Sequence, residues 1–293
     1  MKYLKNCDLC GSGDISYINK TKDIYKCRKC GYIFDNPSPD FNEIVNFYSK
    51  GDKYDSYLKE EKERDILWQK RLAMVKRYKK AGSILDVGAA IGQFLFFASR
   101  DFNIFGTEIS ESAIKIAKDK YNLNLLKGNL EDIDFGDQKF DLITLFHVLE
   151  HVPSPSSLIK KCYDLLNKDG IIVIAVPNDI NSLTFLTHIR RPYELLYLIL
   201  CLCRERDYNI QRLPKIKLDG SLKEIHLSHF TTSSLKRLLI KNKLKIIEDT
   251  LDPYYAVGIN KYKDDLKFYF FLVLKIIFRI NIYDCIWIAA KRQ

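Results

Sequence analysis

Residues 84–92 combine a carboxylate with two glycines in a spacing that can hold a ligand. Asp86 ends a short apolar run, and Gly88 and Gly92 follow it with three residues between them. The dinucleotide fingerprint G-x-G-x-x-G instead lets a pyrophosphate approach bare backbone at a helix N-terminus. Because a carboxylate at Asp86 would repel a pyrophosphate, this turn favours a nucleoside cofactor with a positively charged amino acid end.

Glu108 stands 22 residues after Asp86, at the end of the next apolar run. An acidic residue about 20 residues after such a turn, at the tip of the second strand, can accept hydrogen bonds from both ribose hydroxyls. The spacing of Asp86, the two glycines and Glu108 is therefore typical of a site that binds a nucleoside by its sugar and its charged end.

Four of the eight cysteines form the pattern C-x2-C-x16-C-x2-C, with Cys7, Cys10, Cys27 and Cys30 as its members. This spacing is typical of a structural zinc ion, which four thiolates enclose in a tetrahedral shell. A glycine directly after each pair lets backbone amides turn toward the sulfurs. A disulfide framework is the alternative, but residues 1–13 are polar and lack the apolar segment of an export signal.

Short apolar runs alternate with helical patterns from residue 83 onwards, as in a parallel sheet that is buried on both faces. Helices are predicted over 110–120 and 156–167, and a further helix begins near Thr231. The predicted strands are 84–87, 104–108, 124–127, 142–146, 171–176, 245–248 and 284–290. This rhythm predicts an α/β fold: a Rossmann-like, doubly wound, mostly parallel seven-stranded sheet, with a small N-terminal zinc ribbon built on four cysteines.

The chain divides into three predicted parts. Residues 1–40 form the zinc ribbon, 41–82 form a helical lid or linker, and 83–293 form the core, with an insertion at about 181–225 where the alternation breaks. The basic run over 70–80 is expected to be a solvated helix face. The linker tyrosines expected to pack over the ligand are Tyr48, Tyr54 and Tyr57.

These motifs resemble those of the class I S-adenosylmethionine-dependent methyltransferases. The likeness rests on the turn that contains Asp86, Gly88 and Gly92 (the acid-glycine turn), on Glu108 and on the fourth-strand segment FDLITLFHVLEHV at 140–152. The cysteine pairs, residues 31–39 and the tyrosine-rich stretch after them resemble a subgroup that includes methyltransferases acting on nucleotide-linked sugars. The larger C-methylating members of that subgroup carry an additional C-terminal domain, for which this chain is too short.

The resemblance implies a role for each matching position in S-adenosylmethionine binding. Asp86, Gly88 and Gly92 would hold the methionine portion, and Glu108 would bind the ribose. Asn129 takes the position that contacts the adenine amine, and its side-chain carbonyl can accept a hydrogen bond from that amine. The remaining candidates for cofactor binding are Ile109, Leu130, Phe146 and His147.

Three histidines are candidate catalytic residues. Methyl transfer is an in-line displacement, and a hydroxyl nucleophile also needs a base to take its proton. His147, at the carboxyl end of the fourth strand, could be that base or could pack against the cofactor. Glu150 and His151 resemble the Leu-Glu-His segment of O-methyltransferases that are thought to hold a divalent ion, although packing of a helix end is simpler. His229, with His226, could enter the site from the far side or stabilise a capped turn.

The charge balance favours anionic partners without choosing among them. Lys and Arg outnumber Asp and Glu by 47 to 37, which gives a net charge of +10. The leading expectation is methyl transfer to a small-molecule acceptor, a hydroxyl of a nucleotide-linked or lipid-linked sugar or polysaccharide precursor. RNA methylation is the second, and an inert scaffold for partner binding is the third.

Two apolar runs, 195–203 and 268–280, are too short to span a bilayer. They could touch a membrane that carries a lipid-linked substrate, and the alternative is that they form core or lid helices. Because no export signal is recognised, we expect a cytoplasmic protein, with peripheral membrane contact as a further expectation.

Overall fold

The computed structural model describes residues 1–49, 54–182, 210, 213–253 and 261–293. The chain begins with three antiparallel strands, β1 (Ile15–Asn19), β2 (Ile24–Cys27) and β3 (Ile33–Asp35). Three helices follow, α1 (Phe41–Tyr48), α2 (Asp55–Lys59) and α3 (Glu61–Val75). Helix α1 begins at a capping box, in which Asp40 and Glu43 bind each other's backbone amides.

Strands and helices then alternate as the apolar runs predict. In chain order they are β4 (Gly82–Val87), α4 (Gln93–Ala98), β5 (Phe102–Glu108), α5 (Glu111–Tyr121), β6 (Leu126–Lys127), β7 (Phe140–Phe146), α6 (Pro155–Leu165) and β8 (Leu166–Pro177). After the predicted insertion come β9 (Ser228–His229), α7 (Thr232–Lys241), β10 (Leu244–Leu251), α8 (Lys261–Phe278) and β11 (Cys285–Arg292).

Seven strands form the main sheet in the order β10-β11-β8-β7-β4-β5-β6. Strands β4 to β8 pair in parallel, whereas β11 is antiparallel to both of its neighbours, β8 and β10. This arrangement confirms the predicted Rossmann-like, mostly parallel, seven-stranded sheet. A second sheet joins β1, β2 and β3 to β9, so a strand from the second half of the chain completes the N-terminal sheet.

Neighbouring residues of each central strand face opposite sides of the main sheet, and both sides are buried. Ile84 packs in a cluster with α3, α4 and α5, whereas Leu85 packs in a cluster with α6, α7 and the cysteine segment. This double burial is why the strands read as continuous apolar runs in the sequence.

The structure departs from the predicted elements in two places. Strand β8 begins at Leu166 rather than at residue 171, and a register shift in its pairing with β7 accommodates residues 166–170. Helix α3 ends at Val75, and Arg71 is buried rather than part of a solvated face. The insertion at 181–225 and the run 195–203 lie largely or entirely outside the described residues. Within the described ranges, no helix has both the length and the apolar character needed to cross a bilayer.

Candidate functional site

A cavity of about 460 Å³ opens at the carboxyl ends of β4, β5 and β7. This is the edge at which ligands bind in open parallel sheets, because the loops there converge at a topological switch point. The cavity brings together most of the residues predicted for the site. Its wall includes Asp86, Gly88, Glu108, Ile109, Asn129, Leu130, Phe146, His147 and His151.

Glu108 is held rigidly at this wall by backbone amides. Its Oε1 accepts hydrogen bonds from the amides of Ile109 and Ser110, each at 2.8 Å, and its Oε2 accepts one from Ala90, also at 2.8 Å. Burial raises the pKa of Glu108, and these amides counteract the rise. Since a carboxylate offers about four acceptor positions, Oε2 retains capacity for a further donor such as a ribose hydroxyl.

Asp86 lies buried at the end of β4, close to the middle of the cavity wall. The Thr144 hydroxyl donates to its Oδ1 at 2.7 Å. Burial raises the pKa of Asp86 to about 7, although this hydrogen bond and the positive charge of Arg71 both lower it. A cationic ligand group beside Asp86 would stabilise the ionised carboxylate, so this position suits a charged amino acid end.

The two glycines of the turn have different environments. Gly88 has a φ of +69° and lines the cavity, and a Cβ there would lie 2.7 Å from a Val148 methyl group. Gly92, at a φ of +80°, precedes α4, and a Cβ there would meet Leu123 at 2.7 Å. Gly92 is not part of the cavity wall. It permits the turn and the close packing of α4 and α5, whereas Gly88 leaves room for Val148 at the cavity wall.

Aromatic side chains close the other side of the cavity. Tyr48, Tyr54 and Tyr57, the tyrosines of the predicted lid, all line it, together with Trp68 and Phe146. The Arg64 guanidinium lies 3.6 Å from the centre of the Tyr57 ring, a cation–π arrangement. These walls present flat apolar surfaces, with Arg64 among the lining residues, to any ligand that enters.

His147 is placed between two carboxylates at the end of β7. Its Nδ1 lies 3.3 Å from Glu150 Oε1, and its Nε2 lies 3.6 Å from Asp252 Oδ2. Burial lowers the pKa of His147, but the two carboxylates outweigh burial and raise it above the usual value. Arg71 pairs with Asp252 on the other side, with Nε–Oδ1 at 2.9 Å. A base role for His147 therefore requires that it first lose the proton that these carboxylates stabilise.

Glu150, His151 and His226 could hold a divalent cation. One donor atom from each lies within 4.8 Å of the others. Glu150 is 1% exposed, and neither of its carboxylate oxygens accepts a hydrogen bond within the described part of the chain. His151 Nδ1 lies 2.6 Å from the Ile225 carbonyl, which can only accept, so Nε2 keeps its lone pair.

His226 has a similar arrangement, because its Nδ1 lies 2.8 Å from Asp179 Oδ2. Metal-bound histidines generally donate their other ring N–H in this way. Burial lowers the pKa of His226, but Asp179 and Glu224 raise it well above the usual value, so a bound cation would displace a proton. The geometry fits a site with two imidazoles and a carboxylate.

His229 lies away from the cavity wall. It is buried on β9, with Nε2 2.9 Å from Asp35 Oδ2 and Nδ1 3.2 Å from Asp179 Oδ2. The same Asp179 oxygen contacts His226, so this carboxylate joins the two imidazoles, and none of these three residues is part of the cavity wall. In the next turn, Thr231 caps α7 in a capping box with Ser234, as predicted.

The four paired cysteines converge near the start of the chain. Their sulfurs lie within 4.8 Å of one another, with Cys7–Cys30 and Cys10–Cys27 both at 3.5 Å, and none is in a disulfide. Thiolates at about 2.3 Å from a tetrahedral zinc ion are about 3.8 Å apart, so this spacing fits zinc. In each pair the amide of the following glycine donates to the carbonyl of the first cysteine at 2.8 Å.

This cysteine cluster is fused to the main core. Cys7, Cys27 and Cys30 pack in the same apolar cluster as residues of α6 and α7. Asp8, inside the first pair, accepts hydrogen bonds from the Ser154 hydroxyl at 2.6 Å and the Ser156 amide at 2.9 Å. The cluster therefore stabilises the N-terminus of α6, which carries lining residues of the cavity.

Comparison with known protein families agrees with this geometry. The family model described as a methyltransferase domain matches residues 55–249, about two thirds of the chain. The chain belongs to this family. The methyltransferase domain was predicted from the acid-glycine turn, Glu108 and the segment at 140–152, and that prediction is confirmed.

Two relatives align with parts of this chain. An uncharacterised protein of Methanocaldococcus jannaschii is 31% identical over 134 residues, covering 45% of this chain and 62% of the relative. A ubiquinone biosynthesis O-methyltransferase of Coxiella burnetii is 32% identical over 105 residues, covering 34% of this chain and 45% of the relative. The chain thus spans about half the length of the curated relatives it matches.

Solved structures share the fold at low sequence identity. An S-adenosylmethionine-dependent methyltransferase of Thermotoga maritima has a TM-score of 0.51 and 17% identity, covering 86% of this chain and all of that chain. The magnesium protoporphyrin IX methyltransferase of Synechocystis, with bound S-adenosylhomocysteine, has a TM-score of 0.52 and 12% identity, covering 87% of this chain and all of that chain.

Proposed function

We propose that this methyltransferase transfers the methyl group of S-adenosylmethionine to a hydroxyl of a small-molecule acceptor. The observation that carries the proposal is the Glu108 carboxylate, fixed at the cavity wall by three backbone amides with a buried Asp86 on the neighbouring strand. Family membership and the name of the Coxiella O-methyltransferase support the reaction type.

Each part of the cofactor has a matching group in the cavity. Glu108 would accept hydrogen bonds from the ribose hydroxyls, Asp86 and the Gly88 turn would face the methionine end, and Asn129 and Leu130 would face the adenine; all five residues line the cavity. When bound, S-adenosylmethionine supplies an electrophilic methyl group on a sulfonium. Ile109, Phe146 and the linker tyrosines shield the site from water, and Gly92 supports the turn from behind.

His147 is proposed to take the proton of the acceptor hydroxyl. It lies on the cavity wall, and Asp252 and Glu150 contact its two ring nitrogens from opposite sides. These carboxylates would stabilise the imidazolium that forms when the proton arrives. Asp252, itself held by Arg71, then acts as a positioning residue, because it touches His147 and not the acceptor. His151 and His229 remain proposals as catalytic residues, with His151 on the wall and His229 behind Asp179.

A divalent cation at Glu150, His151 and His226 is a second proposal for the same site. The buried Glu150 carboxylate supports it, because it lies beside two imidazoles whose Nδ1 atoms are engaged elsewhere, although its Oε1 also contacts His147 Nδ1 at 3.3 Å. When bound, such an ion supplies Lewis acidity that lowers the pKa of a coordinated hydroxyl. The donor set of two imidazoles and one carboxylate suits a metal that takes both nitrogen and oxygen ligands, such as Zn²⁺ or Mn²⁺, better than Mg²⁺, which prefers oxygen ligands alone.

The acceptor is proposed to be a ring-bearing molecule. The aromatic wall can stack on the apolar face of a sugar, as expected from the resemblance to sugar methyltransferases, or on an aromatic ring. The Coxiella and Synechocystis proteins are named for a quinone pathway and a porphyrin. Structural zinc on Cys7, Cys10, Cys27 and Cys30 is part of the proposal, supported by the converging sulfurs.

Radioactive methyl transfer from labelled S-adenosylmethionine tests the proposal. The acceptor panel contains nucleotide sugars, lipid-linked glycan precursors, phenolic quinone precursors and total RNA. We expect label in one small-molecule class, with a loss of about 10²–10⁴-fold in kcat for His147→Ala and retained cofactor affinity. Label in RNA alone, with a steep salt dependence, would instead support the RNA alternative. Absence of cofactor binding by the folded protein would support a scaffold.

A further inference from the structure

Helix α8 carries an apolar stripe that no described part of the chain covers. Six side chains on its outer face are exposed, from 51% for Val273 to 72% for Leu266. Their spacing of three and four residues places them on one side of the helix over nearly its full length. The members of this outer stripe are Leu266, Tyr269, Phe270, Val273, Ile276 and Ile277.

The opposite face of α8 packs against the protein and is partly charged. The rings of Phe268 and Phe271 lie 5.7 and 5.6 Å from the ring of Tyr283. Lys275 is 8% exposed and points inward, with its Nζ 2.5 Å from Asp249. A helix that faces water normally turns its charges outward and its apolar residues inward. In α8 the charged Lys275 faces the protein and the apolar outer stripe is exposed. This stripe is therefore better suited to an apolar environment than to water.

Cations border the end of the stripe and one side of it. Arg279 follows the end of α8 and forms no ion pair with any residue in the described ranges, whereas Lys267, near the start of α8, lies 3.9 Å from Asp284. A depression beside Ile276 is lined by Arg77, Lys236, Lys275 and Arg279, against two carboxylates, those of Glu248 and Asp249. Its net charge is positive, which complements an anionic surface rather than another basic one.

We propose that α8 docks this protein in the interface of an anionic membrane. An apolar stripe bordered by cations, on a helix that lacks the combined length and apolar character needed to cross the bilayer, is the pattern of an in-plane interfacial helix. Tyr269 is of the type that favours the headgroup level. This inference is independent of the proposed acceptor and adds a lipid partner.

The docked helix is connected to the cavity through α3. Lys70 Nζ lies 2.7 Å from Asp265 Oδ1 in the first half of α8. The next residue of α3, Arg71, lines the cavity and pairs with Asp252. The lipid surface would therefore be linked to the cavity wall by one short path, an arrangement suited to an acceptor that is carried in or on the membrane.

Co-sedimentation of the full-length protein with vesicles tests this inference. Vesicles of phosphatidylcholine alone are compared with vesicles in which part of the lipid is phosphatidylglycerol. We expect the protein to pellet with the anionic vesicles and much less with the neutral ones. The double variant Phe270→Ser/Ile276→Ser and the single variant Leu266→Ser should weaken binding, the double variant at least tenfold.

Leu126→Ser is the matched control, because Leu126 is 43% exposed on β6, at the other edge of the main sheet. It should bind vesicles like the unmodified protein. An equal loss of vesicle binding in Leu126→Ser and Leu266→Ser would overturn the proposal. Failure of the unmodified protein to pellet with any vesicle would overturn it as well. Sedimentation as a dimer that the α8 variants convert to monomer would overturn it in favour of a second copy of the chain.

Discussion

Arg71 and Asp252 form a two-point ion pair that is almost completely buried. The guanidinium Nε and Nη2 contact the two carboxylate oxygens at 2.9 and 2.5 Å, and the side chains are 1% and 0% exposed. Asp252 Oδ2 also lies 3.6 Å from His147 Nε2. This pair ties α3 to the segment after β10. Asp252 favours the protonated form of His147, whereas the positive charge of Arg71 opposes it.

Removing one member of this pair should destabilise the fold. In Arg71→Met the Asp252 carboxylate remains buried without its counter-ion, which should lower the free energy of unfolding by about 3–5 kcal/mol. Urea denaturation measures the change. The control is Lys70→Met, which breaks the half-exposed Lys70–Asp265 pair and should cost less than about 1 kcal/mol. Similar losses in the two variants would contradict a special role for the buried pair.

Glu108→Ala should abolish most of the cofactor affinity. The variant removes an acceptor that three amides hold in place, so we expect S-adenosylmethionine to bind at least tenfold more weakly by calorimetry. Zinc content should stay unchanged. Glu111→Gln provides the control, because Glu111 lies three residues further on and its side chain is 72% exposed. Unchanged affinity in Glu108→Ala would mean that the ribose binds elsewhere.

Cofactor affinity should fall as the pH falls below about 7. Burial raises the pKa of Asp86 to about 7, so the carboxylate gains a proton below that pH and loses its attraction for a cationic ligand. If only the ionised form binds, the dissociation constant at pH 6 should be about tenfold higher than at pH 8. Calorimetry over this range measures it. Asp86→Asn should bind S-adenosylmethionine weakly, with a dissociation constant that does not change over this pH range. A dissociation constant that is independent of pH in the unmodified protein would contradict the role of Asp86.

Cys27→Ser should release the zinc ion and destabilise the whole chain. Cys27 packs in the cluster that also contains residues of α6 and α7, so the cysteine segment and the core should unfold together. Loss of the metal should therefore lower the melting temperature by about 2–4 °C for each kcal/mol by which the free energy of unfolding falls. Metal analysis and calorimetry measure both effects. Cys162→Ser serves as the control, because Cys162 is buried in the same cluster outside the cysteine site. It should keep its zinc.

Glu150→Gln should abolish binding of Mn²⁺ at the cavity. The change removes the carboxylate from a site with two imidazoles, and metal sites lose about 10–100-fold in affinity even when a supporting group is altered. Titration calorimetry on protein with zinc already in the cysteine site would measure the loss. Glu131→Gln is the comparison, since Glu131 also has a buried oxygen without a hydrogen bond. A protein that binds no Mn²⁺ would refute the site.

The sequence predicts the sheet, and it also predicts that the residues proposed to bind the cofactor meet at one edge of that sheet. Asp86, Gly88 and Glu108 follow directly from strand ends, and the carboxyl ends of parallel strands meet at one edge. Their relative position is fixed by β4 and β5 pairing in parallel. Few residues from outside these two strands are needed to define this half of the site.

The carboxylates that contact the candidate catalytic histidines could not be predicted, because these contacts join residues far apart in the chain. Arg71 and Asp252 are 181 residues apart, and Arg71 stands in a basic run that resembles a solvated helix face. Asp179, which contacts His226 and His229, lies next to a segment without a recognisable pattern. The one available signal was an arginine among the apolar positions of α3, beside Trp68 and Leu72.

The pairing of β9 with β3 bears on the order in which the protein is made. Ile33 pairs with His229 and Phe34 with Ser228, so the N-terminal sheet lacks its last strand until residue 229 has left the ribosome. The sheet beside the cysteine segment therefore stays incomplete until most of the chain has been synthesised. A nascent chain halted before β9 should already bind zinc but should resist proteolysis only after release.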